Sequence, residues 1–158
     1  THGAIWAVMA FARMGNAERA WQLWSMLSPI NHTLNAGSVG IYKAEPYVMS
    51  ADVYSVAPHT GRAGWSWYTG SAGWAWRLLT EELLGIKRSG TEFSVHARLP
   101  DEWSSFSMAY QYGESHYQIS VSRGDAEYCV TLDGVLLPDD RIPLKDDGQN
   151  HTVEIIQN

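Results

Sequence analysis

The hydrophobic periodicity of this chain changes once, near residues 87–90, and that change decides what it can fold into. Seven of the eight tryptophans precede Arg77, in stretches where apolar residues recur at helical spacing. Beyond Arg88, short apolar runs alternate with turn residues, as strands require. The pattern predicts a mixed α and β chain in two parts, 1–88 and 89–158. Ile5, Trp6, Val8, Met9, Ala12 and Met14 make one helical stripe that stops at Gly15. Asn16 caps a second helix carrying Ala20, Trp21, Leu23, Trp24 and Leu27, which Pro29 ends, so the two form a helical hairpin. Residues 28–40 read as loop, broken by Pro29, Asn31, Asn35, Gly37 and Gly40. A short helix is expected over about 46–54, with Pro46 in its first turn, followed by a polar loop over 58–64. Strands are expected over 93–99, 105–112, 117–122, 128–132, 135–137, 141–144 and 153–156, with Asp133-Gly134 as a hairpin signal. Seven short strands with regular turns predict an antiparallel sandwich.

A chain of 158 residues with 45% apolar composition can bury a core. Its net charge of −6 gives no basic face for nucleic acid or an anionic membrane. No stretch approaches the roughly 20 apolar residues of a membrane span, and no signal peptide opens the chain. The single cysteine, Cys129, excludes an internal disulfide, and its place in an alternating strand predicts a buried, inert thiol. The chain opens on Thr1 inside what reads as a helix entry, Thr1-His2-Gly3-Ala4, so a fragment of a longer protein is expected.

Most chemistry is concentrated in residues 45–88, EPYVMSADVYSVAPHTGRAGWSWYTGSAGWAWRLLTEELLGIKR. Trp74, Leu78 and Leu84 recur at roughly helical spacing, with Glu81 and Glu82 on the opposite side and Gly85 as a stop, so Thr69 to Ser71 fall at a helix N-terminus. Unpaired backbone N–H groups and the positive end of the helix dipole favour an anion there, and Gly70 lets it approach the backbone. Arg62 adds a positive fork. The same residues also read as an ordinary helix cap. Trp65, Trp67, Trp74 and Trp76 have two readings as well, flat platforms for sugar rings or filling for a helical core.

The 45–88 run, with His2, resembles glycoside hydrolase family 94, which holds the cellobiose and chitobiose phosphorylases and the phosphorylase region of bacterial cyclic β-1,2-glucan synthases. The resemblance is densest over 45–88, moderate over 1–19 and generic beyond Phe93. It implies that 1–88 supplies the last helices of an (α/α)6 barrel and 89–158 a C-terminal β-sandwich. It further implies an inverting reaction, in which inorganic phosphate attacks the anomeric carbon while one carboxylic acid protonates the leaving oxygen; phosphate replaces the activated water, so no second catalytic carboxylate is needed. The implied phosphate ligands are His2 and the Thr69-Gly70 pair, with no cofactor beyond phosphate as co-substrate. A glutamine that some members carry after the Glu-Pro-Tyr triplet is Ala51 here. The family's general-acid aspartate and a phosphate-binding arginine lie upstream of any position in this chain, so the chain by itself is expected to be inactive.

His59 and Arg62 share a loop and are further candidates for phosphate or sugar contact, together with Trp65 and Trp67. Glu45 and Asp52, the acids nearest the motif, read as hydrogen-bonding residues rather than as acid catalysts. His32, His96, His116 and His151 lack metal-ligand spacing, so no metal site is expected. Asn31-His32-Thr33 and Asn150-His151-Thr152 match the glycosylation acceptor pattern, which is too short to carry weight. Two functions remain. One is a fragment of a phosphorylase that cleaves β-glucan, of the β-1,2 type, to release glucose 1-phosphate; the other is a non-catalytic carbohydrate-binding or scaffold module. The expected partners are a β-glucan oligosaccharide, phosphate, and either the upstream barrel segment or a second copy, with no direct membrane contact and a cytoplasmic location, even where the parent is an inner-membrane protein.

Overall fold

A computed structural model describes residues 1–158, which divide into two compact units, Thr1–Leu83 and Leu84–Asn158. The first holds α1 (His2–Arg13), α2 (Ala17–Leu27), a 3₁₀ turn (Pro29–His32), α3 (Ala36–Tyr42), α4 (Thr69–Arg77) and a π-helical turn (Leu78–Leu83). Ile5, Val8, Met9 and Ala12 lie on one face of α1 and pack with Ala20, Met49, Ala75, Leu78 and Leu83. Gly15, at φ +80°, closes α1: its N–H bonds Ala12 O, and Asn16 N–H reaches back to Phe11 O, each at 3.0 Å. The Asn16 side chain then accepts from Arg19 N–H at 3.1 Å and starts α2, as its position predicts.

Three local expectations are overturned in this unit. Residues 28–40 are not loop, because Asn35 is a cap rather than a breaker. Its side chain accepts from Ser38 N–H while its own N–H bonds Ser38 Oγ, a reciprocal pair that launches α3 through Gly37 and Gly40. The helix expected over 46–54 is absent. Val48, Val53 and Tyr54 favour an extended backbone, and hydrogen bonds to residues 62–68 outweigh the proline signal. Ala51 N–H donates to Trp65 O (2.7 Å), Tyr54 N–H to Arg62 O (2.9 Å) and Tyr68 N–H to Met49 O (3.0 Å). Glu82 also departs from its expected polar face. The π-helical turn changes the spacing after Leu78 and buries Glu82, 5% exposed at its side chain, where it takes a 2.7 Å bond from Arg13.

In the second unit β1 (Ile86–Ser89), β2 (Glu92–Val95) and β7 (Ile142–Pro143) form one antiparallel sheet in the order β1-β2-β7. The other sheet runs β3-β4-β8-β5-β6, from β3 (Ser105–Tyr112), β4 (Ser115–Arg123), β5 (Cys129–Leu132), β6 (Val135–Leu136) and β8 (Asn150–Gln157). β1 lies where the sequence reading placed only a boundary. Purely antiparallel pairing is also corrected, since β8 enters between β4 and β5 and runs parallel to β4, Tyr117 opposite His151 and Val121 opposite Ile155. The long connection that carries β5, β6 and β7 makes a parallel return possible. Tyr117, Ile119 and Val121 of β4 join Val153 and Ile155 of β8 and Phe93, Val95 and Ile142 of the first sheet in one core. β2 ends at Val95, short of the expected 99, and the Gln157 side chain takes over the pairing: its Nε2 donates to Ala97 O at 2.9 Å and its Oε1 accepts from Ala97 N–H at 3.1 Å. Cys129 is half-buried in β5 rather than fully enclosed.

Candidate functional site

Two helix N-termini meet in the first unit, that of α1 at His2 and that of α4 at Thr69. Thr69 is the first helical residue and Tyr68 the cap, and no side chain bonds the cap. The ordinary-cap reading of Thr69 and Ser71 therefore lacks the hydrogen bond it requires, and the first-turn amides keep their donors. His2 lies directly against this turn: a Cβ added at Gly70 would stand 3.4 Å from His2 Cε1 and 3.6 Å from His2 Nδ1. Two polar atoms here are buried without a partner, His2 Nε2 and Ser71 Oγ. Buried polar atoms are nearly always satisfied, so two orphans at adjoining helix starts mark a site whose hydrogen bonds are not internal. Ala51 borders the same region, its carbonyl accepting from the Thr1 amino group at 2.7 Å.

Beside the first turn of α4 lies an aromatic surface. Trp65 is 80% exposed, Trp67 66% and Tyr47 76%. Trp67 holds φ +59°, a left-handed conformation that costs a tryptophan about 1–2 kcal/mol. Two contacts keep it there: its Nε1–H donates to Glu45 Oε1 at 3.2 Å, and its ring meets Tyr47 edge-on at 6.2 Å. Glu45 is held below the usual carboxylate range, first by its own backbone N–H and then by Trp67. An acid kept ionised in this way is suited to orienting Trp67, not to protonating a leaving group. Trp74 is different: half-buried, it meets Trp6 edge-on at 5.6 Å and lies under the Arg77 guanidinium. Trp76 is exposed on α4.

His59 and Arg62 are not gathered with His2, Thr69 and Gly70. They line a separate cavity of about 180 Å³ with Gly40, Ile41, Lys43, Pro58 and Thr60. Asp52 is exposed, its carboxylate lying against the Cα of Gly64. Sequence reasoning missed Lys43, whose lone position carries no pattern, and Tyr47, which was absorbed into a helix that does not form. Ser71 was placed at the helix N-terminus but not singled out as a ligand, since nothing in a sequence announces that a hydroxyl will lack a partner.

Residues 1–85 match the sequence profile of the Glycosyl hydrolase 94 superfamily, catalytic domain. The chain is 43% identical over 123 residues to cyclic beta-(1,2)-glucan synthase NdvB of Rhizobium meliloti (strain 1021), covering 78% of this chain and 4% of that protein. It is 27% identical over 159 residues to solabiose phosphorylase of Paenibacillus borealis, covering 98% of this chain and 20% of that one. Against N,N'-diacetylchitobiose phosphorylase of Vibrio proteolyticus it is 27% identical over 167 residues, 99% of this chain and 20% of the other. The chain thus spans a fifth or less of the length of these relatives.

Proposed function

We propose, because this chain belongs to the Glycosyl hydrolase 94 superfamily, that it is the phosphate-binding part of an inverting glycoside phosphorylase acting on β-1,2-glucan. The observation that carries this reading is the contact of His2 with Gly70 at the uncapped N-terminus of α4, flanked by the orphaned His2 Nε2 and Ser71 Oγ. A phosphate seated there takes hydrogen bonds from the first-turn amides and from the imidazole, and the absence of a Cβ at Gly70 lets it reach the backbone. Held by one side, it presents a free oxygen to an anomeric carbon. Orientation of the two reactants is then the chain's main contribution to rate. Trp65 and Trp67, with Tyr47, offer flat faces to the sugar rings. The general acid comes from outside these residues, so the chain alone does not turn over.

Identity is higher to the cyclic beta-(1,2)-glucan synthase than to the two disaccharide phosphorylases, which favours the β-1,2-glucan substrate and glucose 1-phosphate as product. Exposed Met14, Met26, Ile30, Leu34 and Val39 give the first unit an apolar exterior suited to further barrel helices or a second copy. No helix is long and apolar enough to cross a membrane, and we assign the reaction to the cytoplasm. Glucose 1-phosphate release from β-1,2-gluco-oligosaccharides plus phosphate tests the reading, comparing this chain with one extended upstream. Activity only in the extended protein, lost with His2→Ala, is expected. Glucan binding that ignores phosphate, with no activity in either, would instead make this a carbohydrate-binding module.

A further inference from the structure

We infer that the cavity between the end of α3 and the 58–62 turn is a second anion site, built for inorganic phosphate and separate from the α4 cradle. Three basic side chains, Lys43, His59 and Arg62, line it, and no acidic residue does. In a chain of net charge −6 that convergence is against the average composition. None of the three takes part in an ion pair, whereas Arg13, Arg77, Arg123 and Arg141 are each matched to a carboxylate. Three positive or protonatable groups around one hollow repel one another unless an anion joins them.

The backbone places these residues side by side. Lys43 ends α3 in a left-handed conformation, φ 54°, which turns the chain out of the helix beside the cavity. The turn that carries His59 and Arg62 is tied by Gly61 N–H to Tyr54 O at 2.8 Å and by Arg62 N–H to His59 O at 2.9 Å. Gly61, at φ +84°, packs against Ile41 so closely that a Cβ would stand 2.8 Å from its Cγ2. The His59 ring leans on Tyr54 at 5.9 Å. Turn and helix end are therefore held together, so the three basic residues line one hollow.

Size suits a small oxyanion. A cavity of about 180 Å³ holds roughly six water volumes at about 30 Å³ each, enough for a tetrahedral oxyanion with part of its hydration. It falls short of the roughly 300 Å³ at which sites for larger molecules begin. Inorganic phosphate fits, with Arg62 as a fork on two oxygens and Lys43 as a point charge. A hexose phosphate would have to leave its sugar in solvent.

The test is a phosphate titration of the 158-residue chain followed by amide ¹H–¹⁵N resonances, at constant ionic strength against chloride. Thr60, Gly61 and Lys43 report on this cavity, and Gly70 and Ser71 on the cradle. Both groups are expected to shift with phosphate and not with chloride. Lys43→Gln with Arg62→Gln should weaken the Thr60 and Gly61 response about tenfold or more and leave Gly70 unchanged, while His2→Ala should do the reverse. Both sets of positions are on or near the surface, and an otherwise superimposable spectrum shows that each variant folds. Thr60 and Gly61 resonances that ignore phosphate, or respond equally in the double variant, overturn the second site whatever the cradle does. A silent Gly70 with a responding Gly61 overturns the cradle alone. Glucose 1-phosphate binding as tightly as phosphate at Gly61 would refute the size argument.

Discussion

Gly70→Ala separates folding from binding, because the two should move in opposite directions. Gly70 is the second residue of α4 and has an ordinary helical backbone, so alanine requires no strained dihedral. The new methyl would meet His2 Cε1 at 3.4 Å, an ordinary contact that displaces nothing. Replacing glycine within a helix restricts the unfolded chain and stabilises by about 0.4–1 kcal/mol. The same methyl occupies the place where an anion must approach the first-turn amides. Losing one charge-assisted hydrogen bond costs about 1.5–3 kcal/mol, so phosphate affinity should fall about tenfold to a hundredfold. Urea unfolding and a phosphate titration on one preparation decide the matter. Higher stability with unchanged phosphate binding would show that the α4 amides are not the ligand, and lower stability would show that His2 does not lie where its contact with Gly70 places it.

Three further outcomes follow from the geometry. Trp67→Gly should be about 1 kcal/mol more stable than Trp67→Ala, since only glycine accepts φ +59° freely; both should lose the same glucan affinity, measured by calorimetry. Gly64→Ala drives a methyl into the Asp52 carboxylate and should cost about 1 kcal/mol, the low end for overpacking against a side chain that can swing aside; adding Asp52→Ala should restore the melting temperature. The third concerns His151, 6% exposed at its side chain between Asp133 Oδ2 (2.8 Å) and Asp147 Oδ1 (3.1 Å). Asp133 above all raises its pKa, so its stabilisation is complete below about 6.5 and disappears as pH rises through the folded value. Asp133, lowered first by His151, and Asp147, lowered first by the Gln149 amide, act oppositely and lose their contribution as pH falls below about 4. NMR-detected urea unfolding at Ile119 and Val153 should therefore show the second unit weakening as pH rises above about 6.5 in the native chain. A His151→Gln variant with the same pH slope would refute this.

How much of this was legible in the sequence depends on the range of the interactions. The α1 helix, its Gly15 stop and the Asn16 cap are decided within a few residues and stand where their spacing puts them, although Trp6 and Met14 of the expected stripe are exposed. Asn35 was misread because a cap and a breaker share a residue type; only the reciprocal Ser38 bond separates them. The 46–54 segment failed for a different reason. Its fate depends on pairing with 61–68, and no local pattern carries that information. The parallel entry of β8 beside β4 is likewise a choice among edges that alternation cannot make. At the site, His2 and Thr69-Gly70 were found through motif resemblance, while their meeting is tertiary. Arg62 and His59 were assigned to the same anion on proximity in sequence, and the turn between the paired 49–54 and 61–68 segments carries them to another cavity.

The cradle as built here should bind phosphate only weakly, and the reason lies in its charge. Around Gly70 the chain supplies an imidazole, helix amides and a hydroxyl, while the neighbouring position that could add an amide side chain is Ala51. A helix N-terminus amounts to roughly half a positive charge and contributes at most about 2 kcal/mol, against about 4.1 kcal/mol for a millimolar dissociation constant. Hydrogen bonds from His2 and the amides make up the difference but leave a dianion under-neutralised. Millimolar affinity is therefore expected for this chain, with the remaining charge to come from a cation outside these residues. Saturation of the Gly70 and Ser71 resonances at micromolar phosphate would refute this, because these residues would then neutralise the anion without help.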